Sequence, residues 1–154
     1  MKTILLFLIF SSVCFSQTSK ELIGSWQAAP HVAAGYDDTF TFNEDGTFYY
    51  FNNQMNCAKR EVGYGGEWEM IGKFVYLTIT YSDIEKGGWL EPSDGSCGSD
   101  SMLVGSTIVK RLVFPFEQEV LRIANYKIET EDGADRYTME INNRKHWYFS
   151  KFEY

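Results

Sequence analysis

The chain has 154 residues, 44% of them hydrophobic and 17% aromatic, and a formal charge of −7 at neutral pH. That is the length of one domain with enough apolar side chains for a core. The acidic balance argues against phosphate backbones and anionic membrane surfaces as partners.

Residues 1–17, "MKTILLFLIFSSVCFSQ", place a lysine at position 2, an apolar run over 4–10 and small residues before a polar exit. This is the layout of a secretory signal, with Ser16-Gln17 and Gln17-Thr18 both acceptable as the cleaved bond. The apolar run is far shorter than the ~20 residues that span a bilayer, and no later segment approaches that length. Lipidation at Cys14 would need Leu three residues ahead and Gly or Ala just ahead, where the chain has Ser11 and Val13. Cys14 is therefore expected to leave with the leader, and the folded domain to occupy 18–154. The protein is expected to be exported, to the periplasm or outside the cell, rather than held as an outer-membrane lipoprotein.

A short helical turn is expected at 19–23, where Ser19 caps and Glu21 sits early. Everything afterwards alternates with period two. "TFTFNEDGTFYYF", residues 39–51, reads as a three-residue hairpin with a bulge at Gly46. Its register pairs Phe42 with Phe48 and Phe40 with Tyr50 on one face, leaving Thr39, Thr41, Tyr49 and Phe51 on the other. "GEWEMIGKFVYLTITY", residues 66–81, is a second hairpin, turning on Gly72-Lys73. Trp68, Met70, Val75, Leu77 and Ile79 then share a face. Further strands are expected at "TIVKRLVF" before Pro115, "EVLRIANYKIE" from Glu119, "RYTMEI" from Arg136 and "HWYFSKF" from His146, with turns at "EDGAD" and "NNRK".

Two connections read as long, 52–63 and 82–106. In an up-and-down meander, alternate connections lie at one end. Tight turns at 44–45, 72–73 and 115–116 would mark a tidy end, and the connections at 28–35, 52–63 and 82–106 a loop-bearing one. Cys57 and Cys97 both fall on the loop-bearing end. A lone cysteine pair in an exported chain reads as a disulfide rather than a metal site. Zinc would need further ligands, and His31 and His146 stand in no ligand spacing. Closing a loop of about 40 residues stabilises a fold by roughly 3–4 kcal/mol in the chain-entropy model.

Gly24-Ser25-Trp26, at the start of the first strand behind a short turn, resembles the Gly-x-Trp signature of lipocalins and the wider calycin group. The two hairpins look like the first hairpins of short bacterial lipocalin-like domains, and "HWYFSKF" is similar to their final strand. The resemblance spans most of 22–152 and implies an all-β fold, an up-and-down antiparallel lipocalin-like β-barrel of eight to ten strands with a short N-terminal capping turn or helix. It further implies that Ile23 and Trp26 form the barrel floor, with Lys151 as the cation over the indole. Nine strand-like segments conflict with antiparallel closure, which needs an even number. Either "EVLRIANYKIE" breaks near Ala124-Asn125, giving ten, or one segment stands outside, leaving eight. Only an even count puts Lys151 at the Trp26 end.

Phe40, Phe42, Phe48, Tyr50, Trp68, Met70, Leu77 and Ile79 are the expected interior, which the sequence leaves open as either filled or holding a cavity. Tyr50 and Tyr81 are placed near the mouth, as rim tyrosines or as hydroxyls offered to a ligand. Trp89, beside Leu90 in the second long connection, is read as a lid over the mouth or as a residue offered to a partner. His31 and His146 read as solvent or rim histidines without a catalytic partner, and no Gly-x-Ser-x-Gly is present. The acidic residues of 91–101 lack EF-hand spacing and read as a solvated loop. The expected function is non-catalytic binding of a small apolar or amphipathic molecule, without metal or cofactor. The alternative is a protein-binding module, an exported inhibitor or accessory subunit, that uses the long loops.

Overall fold

In a computed structural model of the chain, residues 19–28, 37–95, 97–131 and 133–149 are described. The expected leader with Cys14, His31 and Lys151 lie outside them. The hairpin at 39–51 forms as its turn chemistry dictates. The Asp45 carboxylate accepts from the Thr47 amide at 2.9 Å and from its hydroxyl at 2.6 Å, closing the turn in an Asx-type arrangement. Strands β2 (Thr39–Phe42) and β3 (Thr47–Phe51) then pair Phe42 with Phe48 and Phe40 with Tyr50, the expected register.

The other elements are a helical turn α1 (Ser19–Leu22) and strands β1 (Gly24–Ala28), β4 (Glu61–Ile71), β5 (Phe74–Pro92), β6 (Ser101–Glu131), β7 (Ala134–Ile141) and β8 (Arg144–Phe149). Each strand pairs antiparallel with the next, and β8 returns to β1, so the eight close into a barrel-like ring.

The count of eight arises differently from either expected route. The segments before Pro115 and after Glu119 are one 31-residue strand, β6, and 115–116 is not a turn. Both segments lie against the same neighbour, since 117–122 pair with 74–79 and 101–112 with 81–92 of β5. Nor does the strand break near Ala124-Asn125. A bulge there, with Asn125 at φ +52°, shifts the register between Ala124 and Lys127 and pairing with β7 resumes. The third connection at the tidy end is therefore the turn between β6 and β7, and Asn142-Asn143 forms a tight turn among the loops at the other end.

The interior is a single apolar cluster that includes Leu22, Trp26, Phe42, Phe48, Leu77, Leu121 and Met139. Trp26 closes its lower end. Its indole N–H donates to the Leu22 carbonyl at 2.8 Å, and Tyr126 and Tyr148 meet the ring edge-on at 6.1 and 5.2 Å. Gly24, two residues earlier, has φ +126°, and a Cβ there would stand 2.3 Å from the Tyr148 ring. That contact gives the glycine of Gly-x-Trp a local reason.

The connection read as 82–106 is mostly strand. Pairing of β4 with β5 ends at Glu61–Ile84, while β5 and β6 continue together to Pro92 and Ser101. The result is a two-stranded ribbon standing above the ring, joined by residues 93–100. The disulfide Cys57–Cys97 is formed, with Cα atoms 6.1 Å apart, and ties residues 52–60 to this ribbon. The Leu103 amide donates to the Cys57 carbonyl at 2.9 Å, and Arg60 Nη1 to the Gly87 carbonyl at 2.7 Å.

Candidate functional site

At the loop-bearing end, the upper turns of six strands leave a cavity of about 270 Å³ above the apolar cluster. Alternation along each strand chooses its walls. Phe40, Tyr50 and Tyr64 share the inward face of β2, β3 and β4, and their rings follow one another at 4.6 Å and 4.8 Å between centroids. Opposite them stand Ile141, Asn142, Arg144 and His146, with Glu119 from β6 between the two walls.

The polar groups are held in place. The Tyr64 hydroxyl donates to Glu119 Oε2 at 3.0 Å. Asp38 accepts from the Asn53 amide at 3.0 Å, from Asn53 Nδ2 at 3.2 Å and from Arg144 Nη1 at 2.9 Å. Arg144 also reaches Asp37 at 3.4 Å, so its charge is shared between two carboxylates. Burial pushes the Asp38 carboxyl upward, but its hydrogen bonds from Asn53, Arg144 and Tyr50 outweigh that and leave it below the ordinary carboxylate value. Burial, reinforced by Asp38 for Tyr50 and by Glu119 for Tyr64, raises both phenols far above their ordinary value.

His146 is 3% exposed. Its Nδ1 lies 2.8 Å from the Arg144 carbonyl oxygen, which can only accept, so the proton sits on Nδ1 and Nε2 is an acceptor. Burial also pushes its pKa down, keeping the ring neutral. The cavity thus combines aromatic faces with carboxylate and imidazole acceptors, while its one guanidinium is already paired.

Of the expected interior residues, Phe40 and Tyr50 line this cavity. Phe42, Phe48, Leu77 and Ile79 lie in the core beneath it, and Trp68 and Met70 are partly buried against that core. Trp68 belongs to the closed end, where its indole N–H donates to the Asn43 carbonyl at 3.1 Å. Trp26 is buried at the closed end, and Lys151, the cation that the resemblance pairs with it, falls outside the described residues.

Tyr81 is corrected. A bulge at Thr80, opposite Gly65 and Gly66, shifts the register between Ile79 and Tyr81 and turns Tyr81 to the outer wall. There it stacks on Tyr49 at 6.4 Å and carries Lys110 over its ring at 3.8 Å. Trp89 lies in β5 opposite Val104, not on a loop, and is 57% exposed, with its indole N–H on Glu91 at 2.6 Å. His146, read as a solvent or rim histidine, is buried and lines the cavity at the loop-bearing end.

Tyr64, Glu119, Asp38 and Arg144 were not singled out by the sequence. A signal for two of them exists. Tyr64 continues the inward series of Trp68 and Met70 backward by two-residue steps, and Glu119 does the same ahead of Leu121 and Ile123. The glycines of 63–66 hid the first by resembling a linker. A second cavity, of about 290 Å³, lies on the outer wall beside the disulfide, with Phe51, Asn52, Lys59 and Met102 among its lining.

Comparison of the chain with protein-family models, curated proteins and solved structures finds no match.

Proposed function

We propose that this is an exported, lipocalin-like, non-catalytic binding protein whose ligand enters at the loop-bearing end and carries an apolar or aromatic body with a protonated amine. The observation that carries this reading is the cavity itself, where aromatic faces from three adjacent strands meet Asp38, Glu119 and the acceptor nitrogen of His146. Its volume lies near the lower end of small-molecule sites, which favours a compact ligand. Ring faces attract cations, and two carboxylates with one shared guanidinium leave the site net negative. Export is supported by the formed disulfide, and no described helix is long and apolar enough to cross a membrane.

The test is calorimetric titration with 2-phenylethylammonium, 2-phenylethanol and phenylacetate, which share a body and differ in charge. The ammonium should bind at least about tenfold more tightly than the alcohol, with phenylacetate weakest, since one charge-assisted contact is worth on the order of 1.5–3 kcal/mol. Glu119→Gln should weaken the ammonium by roughly tenfold and leave the alcohol nearly unchanged. Equal binding of all three would retain the carrier and reject the amine; binding of none would reject both.

A further inference from the structure

A second surface is carried by a length mismatch between two strands. Between the pairs Ile79–Glu117 and Tyr81–Leu112, β5 supplies only Thr80, whereas β6 supplies residues 113–116. The surplus chain is pushed off the wall as a ridge. Val113 turns back onto the core, but Leu112, Phe114 and Phe116 are 79%, 89% and 58% exposed. The two phenyl rings meet edge to face at 6.1 Å, and Ile108 and Val120 are exposed farther along the same face, beyond Lys110 and Gln118. On the side away from β5, β7 pairs with β6 only from Ile123 onward, so among the described residues no strand lies alongside the ridge. An exposed apolar group of this size marks a contact surface.

The order of residues along the ridge says what fits it. The sequence Arg111-Leu112-Val113-Phe114-Pro115-Phe116-Glu117 has opposite charges equally spaced about Phe114. Arg111 and Glu117 are both exposed, and neither has an ion-pair partner among the described residues. Laid antiparallel on itself about a two-fold axis at Phe114, the segment sets Arg111 against Glu117 of the partner subunit and Leu112 against Phe116 of the partner subunit. The same alignment matches Ile108 with Val120 of the partner subunit. A parallel alignment would oppose like charges at both ends. Such self-complementarity is the requirement of an isologous interface.

We propose that the 108–120 ridge of β6 is the two-fold contact of a homodimer, with a second copy of this chain as its occupant. Arg111 and Glu117 share the faces of Ser82 and Ile79, and Leu112 that of Tyr81, so the two copies meet edge to edge, with the charge pairs on one face of the joined strands and the apolar pairs on the other. Pro115 has no N–H to donate, so the ladder is interrupted beside the axis.

Sedimentation analysis of the mature, oxidised protein over a range of concentrations tests this directly. The wild type should show a reversible monomer–dimer equilibrium. Arg111→Glu and Glu117→Arg should each weaken dimerisation by about tenfold or more, through like-charge opposition. The double variant should recover to within about threefold of the wild type, because it restores both pairs in reversed order. Phe114→Asp should give monomers. Near-ultraviolet circular dichroism checks each variant for native packing, which these exposed positions should preserve. A wild type that is monomeric throughout, or a double variant no better than the singles, overturns the proposal.

Discussion

Tyr49, Tyr50 and Tyr64 bring three phenols into the upper wall, each beside a carboxylate: Asp83, Asp38 and Glu119 respectively. Burial is the first cause of their raised pKa values, and the neighbouring negative charge the next. A phenol whose pKa is higher folded than unfolded keeps its proton after the unfolded chain has lost it. Stability is therefore complete below the ordinary value of 10.0 and falls as the pH rises above it. Urea midpoints should drop steeply between about pH 10 and 11.5, and absorbance at 295 nm should show these tyrosines ionising only as the fold is lost. A smooth titration of all tyrosines near pH 10 with unchanged stability would contradict their placement. The inward face that carries Tyr50 was legible because alternation in a hairpin leaves only one choice of side. The carboxylates were not, because a charged residue at an inward position is indistinguishable from a rim residue until the height of its strand is known.

Bulges are the feature that period-two patterning does not reveal. The hairpin registers followed from turn residues and alternation; the first formed as read, and the second did so from its turn at Gly72-Lys73 out to the pair Gly66–Ile79. Tyr81 was misplaced because one extra residue, Thr80, reverses every side chain beyond it. The bulge depends on Gly66, where a Cβ would lie 1.9 Å from the Thr78 carbonyl oxygen, a backbone atom that cannot move aside alone. Gly66→Ala should therefore cost at least about 2 kcal/mol in urea unfolding, and it should weaken the Tyr49–Tyr81 stack, visible as loss of near-ultraviolet dichroism. Stability equal to wild type would mean that the wall has another way to absorb the mismatch. Pro115 misled for a related reason. Next to a predicted strand end it reads as a turn, yet an unpaired strand edge accepts proline equally well.

For the molecule as a whole, an all-β meander was legible from alternation, while nine strand-like segments left the count open between eight and ten. Its division into ring and ribbon was not, because the Gly- and Ser-containing stretch over 82–106 has loop composition and is held as strand by pairing within the ribbon. The disulfide acts at this scale, joining residues 40 apart and fastening the ribbon to the 52–60 loop. Replacing both cysteines by serine should lower stability by about 4 kcal/mol in the chain-entropy model. Proteolysis should then begin between residues 85 and 108, where the ribbon has no third strand. Unchanged protease resistance would assign the ribbon's order to its own pairing instead.

Trp26 lies opposite Tyr148, so the seam of the ring joins strands separated by almost the whole described chain. Loop closure of that span must be completed before the seam returns any contact energy, which places this topology among slow folders, in the range of about milliseconds to seconds. During synthesis β1 and β7 each wait with an open edge until residues 144–149 exist. The fold is thus gated by the arrival of one strand, and no shorter stretch of the chain can close the cavity's wall.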